Sequence, residues 1–158
     1  MMEKYGVQGS LYWSTTYWAA RGKPRNPWED PASYSPTGGF WGNGDGFLLY
    51  PPRRDVPTEP VIEGPVDSIR WELLREGLED REYFWTLRQV LKRAEVILRR
   101  ATGERRYRLE RAIARARKAL KLPSKLAKSL TEWNRDPKAI YRARNEVAMA
   151  IEALNEAI

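Results

Sequence analysis

Residues 67–98, DSIRWELLREGLEDREYFWTLRQVLKRAEVIL, place Ile69, Leu73, Leu74, Leu78, Phe84, Leu87, Leu91, Ala94 and Leu98 at three- and four-residue steps. That recurrence matches a helix of 3.6 residues per turn, so the stretch predicts one long amphipathic helix. Asp67 and Ser68 suit its N-cap, because a short oxygen-bearing side chain can accept from an otherwise unpaired backbone N–H. Gly103 is read as its C-cap, and a second helix is predicted from about Glu104 to Leu122, where Pro123 stops it. A short third helix is expected after Ser124. The last begins at Asp136, with Pro137 in the first helical position and Ile140, Val147, Ile151 and Leu154 on its apolar face.

Upstream of this helix the chain has a different character. Residues 1–66 hold 11 of the 18 aromatics, 9 of the 11 glycines and 9 of the 11 prolines, a composition that excludes regular helix. Val7–Trp13 and Gly46–Tyr50 are short, β-prone and bounded by Gly or Pro, and they are the two expected strands. Between them runs a loop of about Ser14–Asp45, longer than an ordinary connection, and its Tyr17, Trp18, Trp28, Tyr34, Phe40 and Trp41 argue against disorder. The expected organisation is therefore an aromatic strand-loop-strand segment over 1–66 and a helical segment over 67–158, joined in one compact unit.

Composition removes several chemistries. Cys and His are both absent from the 158 residues, so there is no disulfide, no Ser-His or Cys-His relay and no imidazole metal site. Neither a membrane span nor a signal peptide is legible, and a soluble, by default cytoplasmic, chain is expected. The net charge of +7 is uneven: residues 1–66 carry 6 Lys or Arg against 7 Asp or Glu, and residues 67–158 carry the other 22 and 14. A nucleic-acid interface would draw on Arg99, Arg100, Arg105, Arg106, Arg108, Arg111, Arg115 and Arg117. Those arginines go round the helix, and Glu104 and Glu110 are interspersed, so a solvated surface is the better reading and nucleic acid is not an expected partner.

Four segments occur in order: KYGVQGSLYW at 4–13, NPWEDP at 26–31, GNGDGFLLYPP at 42–52 and SIRWELLREGLEDREYFWTL at 68–87. Together they resemble the C-terminal end of the catalytic barrel in the domain-of-unknown-function family 4091, which is grouped with glycoside hydrolase family 123. The resemblance implies that Gly9-Ser10-Leu11-Tyr12-Trp13 ends a late barrel strand, that Gly44-Asp45-Gly46 with Tyr50-Pro51 marks the last strand, and that the helix from Ser68 closes the barrel. The fold class expected is thus a helix-rich α/β fragment, the last two strands and closing helix of a (β/α)8-type barrel followed by a C-terminal helical bundle. A chain of 158 residues is too short for a closed barrel.

In such barrels the loops after the strands form the active face, and here that loop is the aromatic one. Flat aromatic faces bury the C–H faces of sugars with little loss of entropy, so Trp13, Tyr17, Trp18, Trp41, Asp45 and Tyr50 are the candidate substrate-binding residues. Core packing is the competing reading for Trp13 and Trp41, and a turn-stabilising role competes for Asp45. Glu29 and Asp30 read as a capped loop turn between prolines, and Arg70 as a structural side chain. The resemblance also implies enzymes that remove N-acetylgalactosamine with an adjacent Asp-Glu pair. No Asp-Glu dipeptide occurs in the sequence, so no catalytic residue is assigned and this chain by itself is not expected to be competent. No metal or other cofactor is expected. The expected partners are a glycan containing N-acetylhexosamine and, because two strands alone leave open edges, a second copy or a partner chain that completes the barrel. The alternative function is a non-catalytic oligosaccharide-binding module.

Overall fold

The computed structural model describes residues 2–20, 23–52 and 63–158. Two compact units are present, one formed by Gly9–Gly77 and the other by Met1–Gln8 together with Leu78–Ile158. A short α1, Met2–Tyr5, is followed by β1 (Ala19–Ala20), β2 (Lys23–Pro24), β3 (Ala32–Tyr34), β4 (Phe40–Asn43), β5 (Leu49–Tyr50) and β6 (Val66–Asp67). Three long helices complete the chain: α2 (Ile69–Leu98), α3 (Gly103–Ala119) and α4 (Pro137–Ala157).

The helical unit is organised by apolar residues at steps of three and four. Phe84, Leu87, Leu91 and Ala94 of α2, Leu109, Ala112, Ile113 and Ala116 of α3, and Val147, Ala150, Leu154 and Ala157 of α4 form one buried cluster. Alanine at five of these twelve positions lets the helix backbones approach closely, while the leucines fill the remaining space. Ion pairs fasten the rim of the same unit, Glu3 to Arg88 and Asp80 to Arg144. Asp136 caps α4 by accepting a hydrogen bond from Lys138 N at 3.0 Å, with Pro137 in the first turn where its missing N–H costs nothing.

Two local expectations differ from the structure. Gly103 opens α3 with a φ of +57° instead of closing α2, whose last turn tightens through Arg100 N to Ile97 O and Ala101 N to Leu98 O. Residues 120–136 hold no helix. Ala127 instead bridges Trp133, and the Ser129 hydroxyl accepts from Thr131 N and Glu132 N, local bonds that compete with a helical turn.

The other unit is built round residues 44–49. Tyr17 N donates to Gly46 O and Leu48 N to Thr15 O, both at 2.9 Å, which lays residues 15–17 along one side. Gly44 N donates to Pro31 O at 2.8 Å at the end of the β3–β4 ladder, and Leu49–Tyr50 pair antiparallel with Val66–Asp67. Phe47 and Ser33 are fully buried in the middle. Among the described residues the strands form three two-stranded antiparallel sheets and do not close on one another. Val7–Trp13, expected as a strand, is irregular, because among the described residues no strand runs beside it to take its N–H and C=O groups.

The burial pattern makes a direct prediction. Leu87→Ala, at a completely buried position, should lower unfolding stability by about 2–5 kcal/mol in urea titration, whereas Leu11→Ala, at a position 98% exposed, should change it by less than about 0.5 kcal/mol.

Candidate functional site

Gly44-Asp45-Gly46 sets the geometry of the Gly9–Gly77 unit. Gly44 and Gly46 have φ angles of +81° and +78°, in the region where a Cβ meets the backbone. Neither site has room for one. At Gly46 a Cβ would lie 2.8 Å from Cζ2 of Trp13 and 2.9 Å from Cβ of Tyr17, and at Gly44 it would run into the guanidinium of Arg70. The turn therefore lets Trp13 and Tyr17 close over it and fixes Asp45 between the two glycines.

The Asp45 carboxylate is held by one oxygen. Oδ1 accepts from the Tyr12 hydroxyl at 2.6 Å and from Trp13 Nε1 at 3.2 Å, while Gly46 N donates to the Tyr12 oxygen at 2.9 Å. Oδ2 makes no hydrogen bond among the described residues and keeps its lone pairs. Ser33 Oγ donates to the Asp45 carbonyl, so the main chain is tied down as well. Partial burial, with the bond to Asp45 second, raises the Tyr12 hydroxyl above its ordinary pKa of 10.0, and it stays a donor through the neutral range.

Trp13, whose indole N–H reaches this carboxylate, belongs to a cluster of three aromatic rings. Trp13 meets Tyr17 at 4.8 Å and Trp41 at 5.2 Å between centroids, both edge to face, and Tyr17 lies 6.2 Å from Trp41. Edge-to-face contact stiffens the rings without hiding them. Trp13 and Trp41 remain 48% and 46% exposed. The arrangement offers half-exposed aromatic rings, one of them bonded to an acceptor carboxylate.

The other two candidates sit elsewhere in the unit. Trp18 donates its indole N–H to Leu49 O at 3.0 Å. Tyr50 packs 4.8 Å from Trp28 and 6.2 Å from Phe47, and its hydroxyl accepts from Arg70 Nη2 at 2.9 Å. Arg70 also donates to Phe47 O at 3.0 Å, so it clasps the turn through oxygens other than carboxylates. Asp30 accepts from Ala32 N and pairs with Arg25, and Glu29 N and Asp30 N both donate to Asn26 O, which makes NPWEDP a closed turn. Trp13, Tyr17, Trp41 and Asp45 thus come together, and Trp18 and Tyr50 do not join them. Tyr12 is the member that sequence reasoning missed. Its only signal is its place next to Trp13 at the end of the Gly9–Trp13 segment.

Among the described residues, no group of three or more His, Cys, Asp or Glu side chains is placed to hold a metal ion, and no helix is long and apolar enough to cross a membrane.

Residues 1–87, which contain the whole aromatic cluster, match the model of a carbohydrate-cleaving catalytic domain. The family is glycoside hydrolase 123, catalytic domain, and since the match covers more than half of the 158 residues the chain belongs to it. No curated protein and no solved structure matches the chain.

Gly46→Ala should lose the near-ultraviolet circular dichroism of the packed tryptophans while far-ultraviolet helix signal persists, at a cost of roughly 1–3 kcal/mol for the strained backbone. Tyr12 supplies a pH test. Because its folded pKa is raised, its contribution to stability is complete below the ordinary value of 10.0 and is lost as pH rises through the folded value. Tyr12→Phe should abolish that alkaline loss of the tryptophan signal.

Proposed function

We propose that the Gly9–Gly77 unit supplies an aromatic sugar-binding wall to a glycoside hydrolase 123 active site, with the catalytic carboxyl pair contributed from outside these 158 residues. The reading rests on one observation above all: two indoles, each about half exposed, stand edge to face 5.2 Å apart, and one of them is bonded to a carboxylate whose second oxygen has no hydrogen bond among the described residues. A pyranose ring has an apolar face of C–H groups and a rim of hydroxyl donors. The faces of Trp13 and Trp41 suit the first and Oδ2 of Asp45 suits the second.

Family membership supports a glycan as the ligand, and the resemblance of the four motifs supports N-acetylhexosamine as the sugar and the end of a (β/α)8-type barrel as the setting. In that setting Asp45 binds and orients substrate. The tyrosine hydroxyl and indole N–H on Oδ1 fix the direction in which Asp45 presents its other oxygen. Trp18 and Tyr50 then act beneath the wall, fixing Leu49 and Arg70.

Titration of the full chain with N-acetylgalactosamine and its short oligosaccharides should change tryptophan fluorescence saturably. Trp41→Ala should weaken that binding about tenfold, equivalent to about 1.4 kcal/mol, and Trp18→Phe should leave it nearly unchanged. Saturable binding that survives both Trp41→Ala and Asp45→Asn would place the sugar elsewhere and end this reading.

A further inference from the structure

The helical unit carries a feature that the sugar wall does not use. On α3, Leu109, Ala112, Ile113 and Ala116 are buried, and the opposite face presents Arg108, Arg111, Arg115 and Lys118 at steps of three, four and three residues. At 1.5 Å per residue these cations form a line about 15 Å long. All four are exposed, and among the described residues none pairs with a carboxylate. Tyr107, 56% exposed, stands beside the line with the Arg111 guanidinium 5.7 Å from its ring centroid.

Two carboxylates near α3, Glu95 and Glu110, are engaged to one side of this line. Arg106 binds Glu110 at 2.9 Å and Arg117 binds Glu95 at 2.8 Å, and Arg105, the third arginine off the line, donates to the Ile158 carbonyl. Glu104 stands one turn before Arg108, in the first turn of the helix where the dipole favours an anion. The sequence alone spreads its arginines round the helix. The two ion pairs and the bond of Arg105 to Ile158 O sort them, leaving a file of four cations that repel one another along the helix, with Glu104 at its N-terminal end.

We infer that this face of α3 is a docking strip for an acidic polysaccharide, one that carries carboxylate or sulfate groups along a single strand. The choice of a glycan rests on the family reading above; the choice of a single-file polyanion rests on the strip itself. Arginine donates two parallel N–H groups to a planar carboxylate or a sulfate, and three of the four cations are arginine. A nucleic-acid duplex would bring a second row of phosphates over the flank, where Arg106 and Arg117 are already paired with Glu110 and Glu95 and leave it no net charge to bind. A single strand laid from Arg108 to Lys118 meets the four cations, with Glu104 beyond its end.

The test uses the full chain and fluorescently labelled oligomers of polygalacturonate, dextran sulfate and neutral dextran, with a DNA duplex of matched charge as competitor. Binding to one or both acidic glycans is expected, to neutral dextran none, with affinity falling as salt rises. The variant Arg108→Gln, Arg111→Gln, Arg115→Gln, Lys118→Gln should lose at least about tenfold in affinity with a shallower salt dependence. A control with the same charge removed from other exposed sites, Arg93→Gln, Arg99→Gln, Lys125→Gln, Lys138→Gln, should lose less than about threefold, the long-range share of screened charge. An equal loss in both variants, tighter binding of the duplex, or no binding of either acidic glycan each overturns the proposal. Trp41→Ala should leave acidic-glycan binding intact, so failure of the sugar wall and failure of the strip are read separately.

Discussion

The closeness of Gly44 and Gly46 to the side chains around them is the constraint on which the aromatic surface depends. Both glycines are held at positive φ, and both are packed so tightly that a methyl group would displace Arg70 on one side or Trp13 and Tyr17 on the other. A turn of this kind does two things at once. It lets an arginine approach the backbone at Gly44 and an indole at Gly46, and the same indole holds the carboxylate of the intervening aspartate. Tyr12 then reads the turn twice, accepting from Gly46 N and donating to Asp45. The exposed rings are rigid because the backbone beneath them is.

That rigidity also separates two kinds of aromatic residue. Trp18 and Trp28 give their indole N–H groups to the carbonyls of Leu49 and Pro51, so each is spent in fastening one stretch of chain to another. Trp13 gives its N–H to a side-chain carboxylate on the turn, and its ring stays outside. A binding surface needs residues of the second kind standing on residues of the first, since a ring that must be ordered on ligand binding loses affinity to the entropy of ordering. The Phe47, Tyr50 and Arg70 group supplies the footing.

Much of the helical half was legible from spacing and caps. Asp136 with Pro137 marked the start of α4, and the recurrence from Ile69 to Leu98 gave α2, because helix periodicity and capping are local effects that one segment carries by itself. Strand and turn geometry is not local. Val7–Trp13 has β-forming composition, but a strand exists only through its neighbour, and residues 15–17 rather than 7–13 lie against the 44–49 spine. Gly103 looked like the end of one helix and is the beginning of the next, a choice made by where the chain turns. In the candidate site, the aromatic residues could be named from sequence but not sorted: Trp13 and Trp18 differ in which acceptor their N–H reaches and in how far the ring is exposed, and those are facts of the fold. The same holds for α3, where the pairing of Glu95 and Glu110 and the bond of Arg105 to Ile158 O reveal which cations are left over.

Membership of the glycoside hydrolase 123 catalytic domain family gives the first 87 residues their context, and the turn gives the exposed rings theirs. The central claim is that Trp13 and Trp41, not the other tryptophans, meet the sugar. Indole N–H resonances in a two-dimensional nuclear magnetic resonance spectrum of the full chain, assigned by single Trp→Phe variants, test it residue by residue during titration with an N-acetylgalactosamine oligosaccharide. The account predicts progressive shifts for Trp13 and Trp41 with Trp18 and Trp28 nearly still. Shifts confined to Trp71, Trp85 or Trp133, or an unmoved Trp13 and Trp41 at saturating sugar, would contradict it.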